Sequence, residues 1–353
     1  MEENVEYASK PGEGEPWSTV IIGSGPAGLT AAIYTTRGAA STLLLAGEKW
    51  GGQLQLTTTV DNYPGFPEGI DGPELMTRMR KQAERFGTEI VEKNVDGVDF
   101  EKRPFEITAG GERYYAKSIV IATGADTRWM GVPGEEKLRG RGVSSCAPCD
   151  APFFKDKKVI VVGGGDSAME EALVLTKYSP LVTMVHRKSE FRASKAMQKK
   201  VFAKEKEGKI RIIWDTQVVE VLGDQTISAA KLKTKADSEQ AKKIKESLTE
   251  YQGKIVDENP NEVTWEMTTG GLFVAIGHVP TTKVFSGKIE MDKKSYIVVH
   301  DNSKTNVRDG VFVAGDVHDY TYRQAVTAAG YGCQAGMEAL KYLDELDDKE
   351  SKK

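Results

Sequence analysis

A short β-branched run that enters a glycine-rich turn and leaves it as a helix admits few folds, and this 353-residue chain does so twice. Thr19 to Ile22 leads into Gly23-Ser24-Gly25-Pro26-Ala27-Gly28, a helix is expected over Pro26 to Arg37, and Thr42 to Leu45 reads as the next strand. Val159 to Val162 leads into Gly163-Gly164-Gly165-Asp166-Ser167-Ala168, with a helix expected over Asp166 to Tyr178 and a strand over Leu181 to His186. In each turn the first glycine permits a tight reversal, the second lets backbone approach a pyrophosphate, and the third position lets helix pack on strand. The phosphates then meet the free N–H groups of a helix N-terminus. Two βαβ openings predict an α/β fold of two doubly wound, Rossmann-like dinucleotide-binding domains. Ile119 to Gly124 reads as a buried strand, and Leu272 to Gly277 echoes it after the second unit is complete. The second domain is therefore expected to be inserted into the first, with Gly131, Pro133 and Gly134 on one side and Gly270 and Gly271 on the other as linkers.

The residue after each second strand discriminates between ligands. Glu48 stands about 20 residues beyond Gly28, where an acid suits a ribose 2′-hydroxyl, although a solvated loop carboxylate would look the same. The second unit ends instead in His186-Arg187-Lys188, with Arg192 close behind. Cations there suit the 2′-phosphate of NADP, and the competing reading is a solvated basic loop.

Between the fingerprints lies Cys146-Ala147-Pro148-Cys149, followed by Asp150; Cys333 stands alone. Three cysteines make no disulfide framework. An isolated C-x-x-C is redox chemistry or half a zinc site, and the four histidines lack the spacing of a second ligand pair, so redox chemistry is expected and no metal. A neighbouring carboxylate, Asp150, suits proton transfer during disulfide opening, and a helix cap is its alternative.

Composition closes off other classes. Hydrophobic residues make up 39% and charged residues 28%, no apolar run reaches the roughly 18 residues of a membrane span, and a formal charge of −4 disfavours nucleic acid. Residues 1–17 read as a mobile tail without a secretory signal, and Lys235 to Glu262 as a polar surface hairpin or loop.

The chain resembles the low-molecular-weight thioredoxin reductases. The resemblance is carried by GSGPAGLTAAIY at 23–34, GGQLQLTTTVDNYPGF at 51–66, CAPCD at 146–150, GGGDSAMEEA at 163–172, HRKSEFRA at 186–193, FVAIGH at 273–278 and VFVAGDVHDYTYRQAVTAAGYGC at 311–333. It implies that Gly23, Gly25, Pro26, Ala27, Gly28 and Glu48 hold FAD together with Gly52, Gln53, Leu54 and Asn62, and that Gly315, Asp316, Arg323, Gln324 and Ala325 complete that site. It implies NADPH on Gly163, Gly165, Asp166, Ser167 and Ala168, with His186, Arg187, Lys188 and Arg192 towards the 2′-phosphate. By the same likeness Cys149 faces the flavin, Cys146 attacks the disulfide of thioredoxin or a similar small protein, and Asp150 serves as acid and base. The FAD domain would comprise residues 18–128 and 271–345, the NADPH domain with the C-x-x-C residues 129–270, and a polar tail residues 346–353. A cytoplasmic homodimer is implied as well. Pro148 departs from the Thr of the best-known members, Ala151-Pro152 follows where glycine is common, and Lys188 replaces an Arg. These departures leave room for a relative with another partner or donor, such as a glutaredoxin-like protein, a peroxidase system or ferredoxin. The alternative from a different class is a flavin- and NADP-binding redox sensor.

Overall fold

The computed structural model describes residues 10–57, 59–299 and 306–351. The chain forms two compact units, Met1–Asp126 with Val279–Lys353 and Thr127–His278. Residues 1–9, most of the expected N-terminal tail, lie outside the described residues, and Trp17 already begins a strand.

The first unit is organised on a sheet whose parallel strands run in the order Val311–Val313, Glu112–Ile121, Trp17–Ile22, Thr42–Leu45 and Glu89–Val91. Their side chains alternate between two cores. Ile21, Leu44, Val120 and Phe312 face a core shared with the fingerprint helix Pro26–Arg37 and the C-terminal helix Ala325–Glu350. Val20, Ile22, Leu43, Leu45, Ile119 and Ile121 face Phe100, Phe105 and Phe285 on the other side. Because both faces are covered there, residues 20–22, 43–45 and 119–121 read as unbroken apolar runs. Each such side chain, fully buried, contributes roughly 1.5–3 kcal/mol.

The second unit repeats the scheme with a parallel sheet in the order Val143–Ser144, Gly271–Val274, Val159–Val162, Val182–Val185 and Ile210–Ile213. An antiparallel sheet follows, ordered Thr216–Gly223, Ile227–Lys235, Glu262–Thr268 and Gly253–Glu258. The architecture is the expected pair of Rossmann-like folds.

Several local expectations are corrected. The second fingerprint helix ends at Leu175, not Tyr178: Lys177 and Tyr178 donate to carbonyls three residues back, and Pro180 restricts the residue before it. The polar segment 235–262, expected as a hairpin or loop, contains a hairpin strand and adds a helix. Ser238 accepts from the Ala241 N–H to cap a helix over Glu239–Glu246, which buries Gln240, Ala241 and Ile244 beside the fully buried Trp265. Gly253–Glu258 then pairs with Glu262–Thr268.

Two of the glycines read as linkers, Gly134 and Gly271, are packing positions. A Cβ on Gly271 would overlap the Phe154 ring, and one on Gly134 would overlap the Val221 carbonyl. The chain crosses between the units instead at Ala125–Thr127 and His278–Pro280, which pair as a two-stranded ribbon.

Candidate active site

In the first unit, three separated segments meet at the N-terminus of Pro26–Arg37. Gly23 has φ 112°, and a Cβ there would overlap the Ala122 carbonyl; a Cβ on Gly28 would overlap the Gly23 carbonyl. Both are therefore demanded by helix–strand contact. Gly25 differs, because a Cβ there meets nothing within 4 Å. Pro26 takes the first helical position, where its missing N–H costs nothing. Gly52 lies against Gly25 (ideal Cβ to Cα 3.4 Å), and Gly315 against Ala27 (2.9 Å). Ser24 Oγ donates to the Ala46 carbonyl (2.7 Å) and accepts from the Gly51 N–H (2.9 Å), tying the fingerprint to the segment that carries Gly52, Gln53 and Leu54. Asn62 Nδ2 donates to Gln324 Oε1 (3.2 Å), joining two more of the expected residues. Gln324 also caps the C-terminal helix that Ala325 begins. Glu48 is exposed after its strand, with its N–H on Asn94 Oδ1.

Asp316 gives the sharpest electrostatic signal here. Its Oδ1 is buried without a hydrogen-bond partner among the described residues, and burial, assisted by the Asp319 charge, pushes the carboxyl up to about 7. Asp319 itself accepts the N–H groups of Thr321 and Tyr322, shaping the turn in which Arg323 has φ 50°. An orphaned acceptor beside an open glycine cradle at a helix N-terminus fits FAD: phosphates suit the amides, and a ribityl or ribose hydroxyl suits Asp316.

The second unit presents the same cradle at Gly165, where a Cβ again meets nothing within 4 Å. The helix Asp166–Leu175 starts there with Asp166, Ser167 and Ala168; a Cβ on Gly163 would overlap the Ala275 carbonyl and crowd the Ala168 methyl. Asp166 Oδ1 accepts the Ser194 N–H (3.0 Å), and the Arg192 N–H donates to the Gly164 carbonyl (2.8 Å), so the Arg187–Arg192 loop is pinned to the fingerprint. The His186 ring is buried over Gly164 between Phe191 and Trp214, with Nε2 on the Glu190 carbonyl. Burial first, then the charges of Arg192, Arg187 and Lys188, hold it below the usual imidazole value. His186 is thus a neutral platform, while the three cations project exposed around it. This donor set fits a 2′-phosphorylated nucleotide.

Cys146 and Cys149 form a disulfide bounding the short helical turn Ala147–Asp150, with Cα atoms 5.3 Å apart. Pro148 sits in the first helical turn, where it removes no needed bond. Asp150 makes no side-chain capping bond to the turn that follows. Its Oδ2 accepts from Ser144 Oγ (2.6 Å), which in turn accepts the Cys146 N–H (3.1 Å). Burial raises the Asp150 carboxyl, and the Ser144 bond only partly opposes this. A partly buried carboxyl held above its ordinary range beside a disulfide is suited to take up and return a proton. Sequence reasoning missed Ser144 and also Glu171, whose Oε2 accepts the Ala147 N–H. Ser144 was detectable as a hydroxyl two residues before Cys146; Glu171 reaches the turn only through the packing of its helix.

Comparison with known proteins agrees with this chemistry. A family model described as pyridine nucleotide-disulphide oxidoreductase matches residues 17–332. The thioredoxin reductase of Rickettsia prowazekii is 48% identical over 328 residues, 92% of this chain and 98% of that protein. That of Mycolicibacterium smegmatis is 43% identical, covering 93% and 97%. Among solved structures, thioredoxin reductase from Giardia duodenalis superposes with a TM-score of 0.81 at 38% identity, covering 94% of this chain and 99% of that one. The enzyme from Streptococcus pyogenes gives 0.80 at 36%, covering 93% and 98%.

Proposed function

The chain belongs to the pyridine nucleotide-disulphide oxidoreductase family, among its thioredoxin reductases, and from that premise we propose which of its residues pass electrons from NADPH through FAD and the Cys146–Cys149 pair to thioredoxin. The carrying observation is the disulfide with a partly buried carboxyl of raised proton affinity beside it, in one chain with two open glycine cradles. Bound FAD supplies a two-electron acceptor for the NADPH hydride and a two-electron donor to the disulfide.

In our reading the first unit holds FAD on Gly23, Gly25, Pro26, Ala27 and Gly28. Glu48, Gly52, Gln53, Leu54, Asn62, Gly315, Asp316, Arg323, Gln324 and Ala325 complete that site. The second unit holds NADPH on Gly163, Gly165, Asp166, Ser167 and Ala168, with His186 as a platform and Arg187, Lys188 and Arg192 towards the 2′-phosphate. Once the pair is reduced, Asp150 accepts the proton of Cys146. The thiolate bonds to one sulfur of the thioredoxin disulfide, and the other partner sulfur leaves as thiolate and takes that proton back from Asp150. Cys149 then gives up its proton and attacks the Cys146 sulfur, the mixed disulfide breaks, the released partner thiolate takes up that second proton, and reduced thioredoxin departs with two electrons. No helix among the described residues is long and apolar enough to cross a membrane. A cytoplasmic homodimer belongs to the same proposal and rests on the family resemblance.

Replacing Cys146 or Cys149 by Ser separates the two halves of the reaction. Flavin bleaching by NADPH is expected to persist in both variants while thioredoxin reduction is lost. Loss of bleaching with FAD still bound would overturn the proposed order.

A further inference from the structure

The turn that carries the disulfide has no backbone donor to spare. The Cys146 N–H is on Ser144 Oγ, Pro148 has none, and the N–H groups of Cys149 and Asp150 both donate to the Cys146 carbonyl (3.2 and 3.1 Å). The remaining donor, the N–H of the fully buried Ala147, goes to the carboxylate of Glu171. In most C-x-x-C sites amides at the start of the turn help to stabilise a thiolate. Here those amides are committed, and one is committed to a carboxylate carried by the very helix that starts at the Gly165 cradle.

We infer that Glu171 is a positioning residue that holds the redox turn in place and, by its charge, keeps the Cys146 thiol protonated in the reduced pair. A nearby negative charge raises a thiol pKa, and so does the loss of amide donors to the thiolate. A dithiol whose thiolate is poorly stabilised is the stronger reductant, the reverse of an oxidant whose reduced form is stabilised. That bias suits a pair whose task is to give electrons away, and it leaves Asp150 as the group that takes the proton when the partner arrives. Among the described residues, the carboxylates bonded at the turn are Asp150 within it and Glu171 from the helix packed on it; Asp166 and Glu170 on that helix are exposed. The inference rests on the reading of Cys146–Cys149 as the redox pair.

Glu171→Gln keeps an acceptor for the Ala147 N–H and removes the charge, Glu171→Ala removes both, and Glu170→Gln is the control. Each holoenzyme is reduced anaerobically, and iodoacetamide labelling of Cys146 is followed against pH by peptide mass spectrometry, which separates it from Cys149 and Cys333. In Glu171→Gln the labelling midpoint is expected to fall by about one pH unit, close to tenfold more thiolate at pH 6. The pair's potential should rise accordingly against a glutathione redox buffer, and Glu170→Gln should leave both unchanged. A Glu171→Gln midpoint identical to that of the parent, with only Glu171→Ala disturbed, would reduce Glu171 to a structural bond and overturn the electrostatic role. If instead thioredoxin reduction survived loss of both cysteines, the redox-pair reading itself would fail, an outcome separable from the first.

Discussion

At the scale of single residues, the chemistry turns on carboxyls whose surroundings differ. Burial lifts Asp150, Asp316 is lifted further to about 7, and Glu171 is engaged with a backbone N–H beside the cysteines. For Asp150 the sign of the pH dependence follows from its proposed role as the group that takes the Cys146 proton. The ionised form must accept the Cys146 proton, and a raised pKa means that this form is lost at a higher pH than for an ordinary carboxylate. Thioredoxin turnover is therefore expected to decline as pH falls through a midpoint above the usual carboxylate range. In Asp150→Asn that acid limb should vanish and the rate fall about 10²-fold, in line with general acid–base contributions. NADPH-driven flavin bleaching should be unaffected. Stopped-flow bleaching and steady-state thioredoxin reduction across pH 5–8 test this, and an Asn variant that kept the acid limb would assign it to another group.

At the scale of elements, the glycines of one fingerprint divide into two physical kinds, which mutation should separate. Gly28→Ala places a methyl onto the Gly23 carbonyl, so strand and helix must move apart; destabilisation of roughly 1–3 kcal/mol is expected, together with loss of flavin. Gly25→Val places its Cβ where nothing in the protein lies within 4 Å. It should melt close to the parent apoprotein yet fail to retain FAD, because the branched side chain occupies the cradle. Thermal denaturation of the apoproteins with flavin titration distinguishes the pair, and equal melting losses would refute the distinction. This division also shows what the sequence made legible. The strand–turn–helix order depends on adjacent residues, so both Rossmann-like units could be read directly, as could the pairing of Cys146 with Cys149. The helix Glu239–Glu246 was not, because its few apolar residues, Ala241 and Ile244, are hidden among lysines and acquire meaning only against Trp265. The roles of Gly134 and Gly271 were misread for the same reason: a glycine beside proline or a second glycine signals a linker locally, whereas here the partner is a distant carbonyl or ring. Glu171 and Ser144 likewise become functional candidates only once the fold delivers them to the disulfide.

At the scale of the whole molecule, the arrangement is one contiguous unit interrupting a discontinuous one. The unit Thr127–His278 holds its own two buried clusters, one around Trp265 and Leu272 and one around Phe273 and Met184, and every residue of both clusters lies within that unit. Its ends belong to segments that pair with each other, so excision leaves the termini close together. At about 150 residues it is large enough to bury a core unaided. Expressed alone, the segment 127–278 is therefore expected to unfold cooperatively, to bind no flavin, and to prefer NADPH to NADH. Arg187→Ala with Arg192→Ala should erase that preference. Hydrogen bonds to charged groups contribute about 1.5–3 kcal/mol each, so the pair should weaken NADPH binding by roughly 10²–10⁴-fold if their effects add. NADH binding should change little. Calorimetric titration of both nucleotides checks this in the absence of turnover, and separates the 2′-phosphate role from a solvated basic loop, whose exposed charges contribute at most about 1 kcal/mol each and would affect both ligands alike. The fragment should also keep the Cys146–Cys149 disulfide oxidised in the presence of NADPH, since the proposed flavin cradle belongs to the other unit. Reduction of that disulfide by NADPH alone would mean that hydride reaches the sulfurs directly, and the division of labour between the two units would fall.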